Sequence, residues 1–111
     1  MDARLRRDRP LGSEVHPIMK IPSEVRIKRG VYYSIKWQEV IEGDADCLGL
    51  CDPAEQVITM KLGMSDTEVA KTFIHELLHA IEAEWEQPIP HKIIYTLEEG
   101  TFNILKLNRW V

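Results

Sequence analysis

An α+β fold is predicted for this chain of 111 residues, with a small antiparallel sheet packed on one helix and a second helix after it. The first half of the chain holds short segments rich in β-branched and aromatic residues, whereas the second half holds two long segments with helical periodicity. Because the strands come first and the helices last, the pattern favours α+β over the alternating order of an α/β protein. The length corresponds to a single domain, which we place at residues 21–111.

Four predicted strands account for the first half of the chain. Turn-forming residues separate them. Gly30 follows the first strand, Gly43 and the acidic residues directly after it follow the second, and an Asp-Pro turn at Pro53 follows the third. The last segment alternates in a way that gives it two distinct faces. The predicted strands cover residues 24–29, 31–41, 47–51 and 56–62.

A capping box marks the start of the first predicted helix. The Ser65 hydroxyl is expected to accept a hydrogen bond from the backbone N–H of Glu68, whose carboxylate accepts one from the Ser65 N–H. Apolar residues then recur at three- and four-residue spacing until Pro88 and Pro90 end the pattern. They are Val69, Ala70, Phe73, Ile74, Leu77, Leu78, Ile81 and Trp85. A second helix is predicted at about residues 90–108.

The first helix contains the pentapeptide H-E-L-L-H at residues 75–79. An α-helix advances 100° per residue, so His75 and His79 project from nearly the same side and can grip one metal ion together. Glu76 points sideways, where its carboxylate can take a proton from a water on that ion. The two histidines fall nearly opposite the centre of the apolar stripe, which predicts that they face a cleft or solvent. The spacing is typical of zinc hydrolases, although two surface histidines would give the same pattern.

A catalytic zinc ion normally takes three protein ligands and leaves its fourth position to water, so a third ligand is needed. On the second helix, Glu98 and Glu99 are candidates, and Tyr95 and Asn103 share a face with Glu99. Most Glu-Glu pairs are simply solvated helix surface. Glu82 lies one turn beyond His79, but three ligands on one unbroken helix rarely converge, so we interpret it as a support or surface residue.

The motif resembles that of the gluzincins, the thermolysin-like metallopeptidases. Nineteen residues separate His79 from Glu99, about the interval that precedes the ligand glutamate in that family. The resemblance therefore implies a zincin-like fold with His75, His79 and Glu99 on Zn²⁺ and Glu98 as the alternative third ligand. The chain departs from the family at Asn103, where an aspartate holds the first histidine. From about residue 48 to residue 108 the chain also resembles small metallopeptidases of the ImmA/IrrE and SprT-like kind, relatives of which occur in phages and prophages.

This resemblance implies a zinc metallopeptidase whose substrate is a peptide or protein. Glu76 would act as general base and later return the proton to the leaving amine. Tyr95 or His91 would donate to the tetrahedral oxyanion, although a core-capping tyrosine and a surface histidine are equally good interpretations. In zincins the strand before the metal helix often edges the cleft, so residues 56–62 are expected to pair with an extended substrate.

Composition sets broader limits on the chain. No apolar run approaches the roughly twenty residues of a membrane span, and we expect a cytoplasmic protein. Cys47 and Cys51 form a lone pair, which favours two partly buried thiols over a structural zinc site or a disulfide. Residues 1–36 hold nine basic and four acidic residues in a chain of net charge −4. The basic residues concentrate in a predicted N-terminal arm, residues 1–20, which we expect to be flexible and solvated.

Two alternatives to a plain peptidase remain open. One is a non-catalytic regulatory or structural module of phage type, in which a fourth protein ligand would close the zinc site. The other is a nucleic-acid-associated protease recruited through the basic arm. The sequence specifies neither the substrate nor the oligomeric state.

Overall fold

A computed structural model describes residues 20–110, which fold into four strands and two helices. The predicted basic arm, apart from Lys20, lies outside the described residues. Each predicted element is present, with its ends shifted by a few residues. The elements are β1 (Glu24–Lys28), β2 (Val31–Gln38), β3 (Gly49–Asp52), β4 (Val57–Lys61), α1 (Asp66–Glu84) and α2 (His91–Leu107).

The four strands form one sheet in the order β1-β2-β4-β3, which confirms the α+β class. The sheet is mixed, because β1 and β3 pair antiparallel with their neighbours whereas β2 and β4 run parallel. The expectation of a wholly antiparallel sheet is corrected in this detail. The central position of β4 suits its composition, since Ile58 and Met60 are fully buried. The four-residue β3 is left at the edge, where short strands are favoured.

The hydrophobic core lies between one face of this sheet and α1. Period-two alternation directs Tyr33 and Ile35 of β2 inward, and Ile58 and Met60 of β4 join them. On the helix side, Phe73 and Ala80 complete the cluster. The core therefore holds α1 against the sheet along the face that sequence periodicity predicts.

Helix α1 begins as predicted, but the side chains of its last turn are more exposed than predicted. Ser65 and Glu68 form both hydrogen bonds of the capping box. At the other end, Ile81 and Trp85 were expected in the buried stripe but are 41% and 51% exposed. Trp85 instead packs its ring against the Lys28 ammonium, 5.1 Å from the ring centroid, which is a cation–π contact at the surface.

One polar contact crosses the core and joins the sheet to the end of α1. The hydroxyl of the fully buried Tyr33 donates to Glu84 Oε2 at 2.7 Å, and the Lys28 ammonium donates to the Glu84 carbonyl oxygen at 2.9 Å. Burial, together with the neighbouring Glu84 carboxylate, raises the pKa of Tyr33, which keeps the hydroxyl in its donating form.

Helix α2 packs on α1 and is more exposed than α1, since Ile94 is the one fully buried side chain among its described residues. The helix starts directly after Pro90, a residue that fits a helix start because it lacks an N–H to satisfy. Among residues 20–110, neither helix combines the length and the apolar character that crossing a bilayer requires.

We expect Tyr33→Phe to lower the free energy of unfolding by about 1.5–3 kcal/mol, because it removes a hydrogen bond to a partly buried carboxylate. Urea denaturation followed by tryptophan fluorescence measures this loss. The control is Tyr32→Phe, since the exposed Tyr32 hydroxyl accepts hydrogen bonds from the Arg26 guanidinium at the surface. Equal losses in the two variants would contradict the role of the Tyr33–Glu84 contact.

Candidate metal centre

Three imidazoles meet where the start of α2 crosses the middle of α1. One ligand atom from each of His75, His79 and His91 lies within 4.8 Å of the others, the geometry of a group that could hold a metal ion. The ring centroids of His75 and His79 are 4.9 Å apart, and those of His79 and His91 are 5.3 Å apart. The spacing of four residues thus places His75 and His79 side by side, as the sequence predicts, and the start of α2 adds His91 as a third imidazole.

Two carboxylates orient the α1 histidines. Glu98 Oε1 lies 2.9 Å from His75 Nδ1, and Glu82 Oε1 lies 3.0 Å from His79 Nδ1. A carboxylate accepts, so each Nδ1 carries a proton, and in the neutral form of the imidazole Nε2 has the lone pair. This carboxylate–histidine arrangement is the one that commonly fixes the tautomer of a metal-binding imidazole.

Glu82 has a second partner that connects it to His91. Its Oε2 accepts a hydrogen bond from the backbone N–H of Ile89 at 2.9 Å, in the linker between the helices. This backbone hydrogen bond and the one with His79 hold the pKa of Glu82 below its usual value. Because Ile89 is two residues before His91, one carboxylate both orients His79 and fixes the path of the chain to the third imidazole.

Glu76 is buried at 5% exposure, beneath the histidines rather than beside them in solvent. Desolvation raises its pKa to about 7, an effect that the nearby Glu98 carboxylate reinforces and His79 opposes. Glu76 and His75 line two adjoining clefts of about 490 and 300 Å³, one on each side of the carboxylate. A carboxyl group that titrates near neutrality at the base of a cleft is suited to accept and release protons.

The edge strand β3 forms the opposite wall of both clefts. Gly49 makes this approach possible, since a Cβ atom built on it would lie 2.6 Å from Thr72 Cγ2 and 3.0 Å from Glu76 Oε2. The expectation that residues 56–62 form the edge of the cleft is wrong, because β4 lies between β2 and β3. Strands β3 and β4 pair antiparallel, so that β4 lies inside the sheet and β3 lies at the edge of the sheet formed by residues 20–110.

The structure brings together only part of the predicted site on α2. Tyr95 lies over the centre, with its ring centroid 5.4 Å from that of His75, and it lines the smaller cleft. Glu98 reaches the centre as the partner of His75. Glu99 does not reach it: its carboxylate pairs with the Lys71 ammonium, and its side chain is 66% exposed. The group that could hold a metal contains His91 in place of Glu99.

The two cysteines are free thiols and half-buried, as predicted. Cys47 Sγ donates to the carbonyl oxygen of Gly49 at 3.2 Å, and Cys51 packs against the core. Burial, followed by the negative charge of Glu76 and other nearby carboxylates, raises the pKa of Cys51 to about 12. A thiol in this state is a poor nucleophile at neutral pH.

The full role of two residues of the centre, His91 and Gly49, was not identified from the sequence. The sequence offers His91 as one of two candidate oxyanion donors, beside Tyr95, or as a surface residue. Its position directly after Pro90 and a short linker is the signal that would place it near α1. Gly49 was assigned no role, because a glycine at the start of a short strand has many explanations. Its close approach to Glu76 depends on the packing of β3 over α1, which sequence spacing does not report.

The chain matches no protein-family model, no curated protein and no solved structure at a significant level. The residues of the centre and their geometry therefore carry the functional argument.

We expect Gly49→Ala to lower the free energy of unfolding by about 1–3 kcal/mol, because the added methyl group overlaps Thr72 Cγ2. The double variant Gly49→Ala/Thr72→Ser removes that methyl group and should regain part of the loss. Thermal denaturation of the two single variants and the double variant completes the cycle. Strictly additive losses would show that the close approach of β3 to α1 is not the cause.

Proposed function

We propose that this protein is a zinc-dependent peptidase in which His75, His79 and His91 bind the metal and Glu76 is the general base. The observation that carries the proposal is the meeting of three imidazoles, two of which line a cleft together with the buried Glu76 carboxylate. Two of the ligands and the base come from the H-E-x-x-H motif, and the third ligand comes from the start of α2.

The donor set fits zinc. Neutral imidazole nitrogens are common zinc ligands, and three of them with a vacant fourth position are typical of catalytic rather than structural sites. The carboxylates of Glu82 and Glu98 support the fit, because they keep Nε2 of His79 and His75 available. The proposed ligand set differs from the gluzincin pattern in its third ligand, which is His91 rather than a glutamate. The resemblance is therefore limited to the metal-binding helix and its general base.

When bound, a zinc ion supplies a Lewis acid that polarises a carbonyl oxygen and makes a water molecule acidic near neutral pH. Glu76 then accepts the proton of the attacking water on its carboxylate and returns it to the leaving amine. Its position suits both steps, because the Glu76 carboxylate lines the same cleft as His75 and His79.

The remaining walls of the cleft suit an extended peptide. Strand β3 lies at the edge of the sheet formed by residues 20–110 and beside Glu76, and a peptide could add to it as a further strand with main-chain hydrogen bonds. Tyr95 lies on the other side of His75 and is 58% exposed, so its hydroxyl can reach a substrate and donate to a developing oxyanion.

Zinc titration calorimetry tests the ligand set. The EDTA-treated chain should bind one zinc ion, and His91→Ala should weaken binding at least about a hundredfold, because a three-nitrogen site loses one of its ligands. Glu98→Gln should weaken binding by about 10–100-fold through the loss of its charged hydrogen bond to His75.

Glu99→Gln is the matched control, since Glu99 is the exposed partner of Lys71. Its affinity for zinc should equal that of the unchanged chain. If Glu99→Gln releases zinc while His91→Ala retains it, the third ligand is Glu99 and the three-histidine set is wrong.

Replacing Glu76 by Gln tests the general base. We expect the variant to retain zinc but to lose at least about a hundredfold in the rate of peptide cleavage, because the amide cannot accept a proton. The zinc-loaded chain is incubated with a fluorogenic peptide library, and products are located by mass spectrometry. Glu24→Gln, on the exposed side of β1 at the far edge of the sheet, is the control.

Two results would contradict this part of the proposal. Undiminished cleavage by Glu76→Gln would remove Glu76 as the base. A zinc-loaded chain that cleaves no peptide of the library would favour a non-catalytic metal-binding module.

A further inference from the structure

The outer face of α2 carries an apolar stripe with no partner among residues 20–110. Four exposed side chains and one glycine form it at alternating spacings of four and three residues. They are Ile93, Leu97, Gly100, Ile104 and Leu107, with exposures of 42% to 76% for the four side chains. The spacing is that of a helix–helix seam, and over fourteen residues it runs for about 21 Å.

From this stripe we infer that the protein forms a symmetric homodimer in which the α2 helices of two copies cross in antiparallel fashion at Gly100. This proposal is independent of the metal centre and of peptidase activity. The stripe is nearly symmetric about Gly100, with apolar side chains three and seven residues before it and four and seven after it. An antiparallel crossing therefore places Leu97 against Ile104 of the partner and Ile93 against Leu107, the self-complementary arrangement of a twofold interface.

Gly100 provides an independent observation. Glycine inside a helix costs about 1 kcal/mol relative to alanine, so it needs a compensating role. Apart from the backbone of α2 itself, no atom of residues 20–110 lies within 4 Å of where its Cβ would be, and hence packing among these residues does not require glycine there. A glycine at the middle of an exposed apolar stripe permits a second helix backbone to approach closely.

Charge also favours a second copy as the occupant. The helical positions that flank the exposed stripe are uncharged, comprising Thr96, Thr101, Asn103 and, at the C-cap, Asn108. Within α2 the charged side chains are Lys92, Glu98, Glu99 and Lys106, and they lie outside the stripe and these flanking positions. Two copies of a chain with net charge −4 can therefore meet along this seam without placing like charges in contact.

The available area matches a weak but specific dimer. Four half-exposed aliphatic side chains and Trp110, which is 67% exposed, offer on the order of 500 Å² of apolar surface per copy. Two copies would bury on the order of 1,000 Å², near the lower bound for a specific interface. We therefore expect a dissociation constant on the order of micromolar.

Sedimentation equilibrium of the full chain in EDTA tests the dimer, and the chelator excludes association through shared metal ions. The unchanged chain should fit a monomer–dimer equilibrium. Ile104→Glu and Gly100→Leu should each raise the dissociation constant at least about tenfold. The control Val40→Glu, which places the same charge on an exposed apolar residue outside the helices, should change it less than about twofold.

Gly100→Leu separates a specific crossing from general stickiness. Leucine favours the helix and meets no packed neighbour among residues 20–110, so circular dichroism should show an intact fold. A variant that associates more tightly, or a dimer unaffected by Ile104→Glu, would overturn the proposal. A full chain that stays monomeric at all concentrations would also overturn the proposal. If the chain dimerises only after removal of residues 1–19, that segment is the occupant of the stripe, and the proposal is again wrong.

Discussion

The packing of α1 between the sheet and α2 is the constraint on which the candidate centre depends. One face of α1 is held by the core residues of β2 and β4, and this fixes the rotation of the helix about its axis. The 100° step between residues then turns Glu76 under β3 while His75 and His79 face the start of α2. A rotation of α1 by one residue would exchange a buried carboxylate for a buried imidazole, so the apolar core and the polar site are specified together.

Much of the fold follows from local rules, and the sequence predicts it for that reason. The capping box at Ser65, the alternation in β2 and the prolines between the helices depend on residues close together in the chain. The parallel pairing of β2 with β4 was not predicted, because it joins segments that are distant in sequence and their apolar patterns also fit an antiparallel sheet. Which strand lies at the edge depends on the same pairing.

The candidate site divides in the same way. The side-by-side placement of His75 and His79 is a property of one helix, and the sequence predicts it directly. Both the nearness of His91 and the distance of Glu99 depend on how α2 docks on α1, and this is set by the linker and by the contacts of Glu82. A family interval counted along the chain favoured Glu99, whereas the docked helix turns that carboxylate toward Lys71.

The light anchoring of α2 has a consequence for how the centre assembles. This helix contributes His91, Tyr95 and Glu98, yet only Ile94 on it is fully buried. Local opening of α2 would dismantle the centre while the sheet and α1 stay folded, at a cost well below that of global unfolding. Preorganisation of the three imidazoles is thus governed by the docking of one surface helix, so a chain can be cooperatively folded and still spend time without a competent centre.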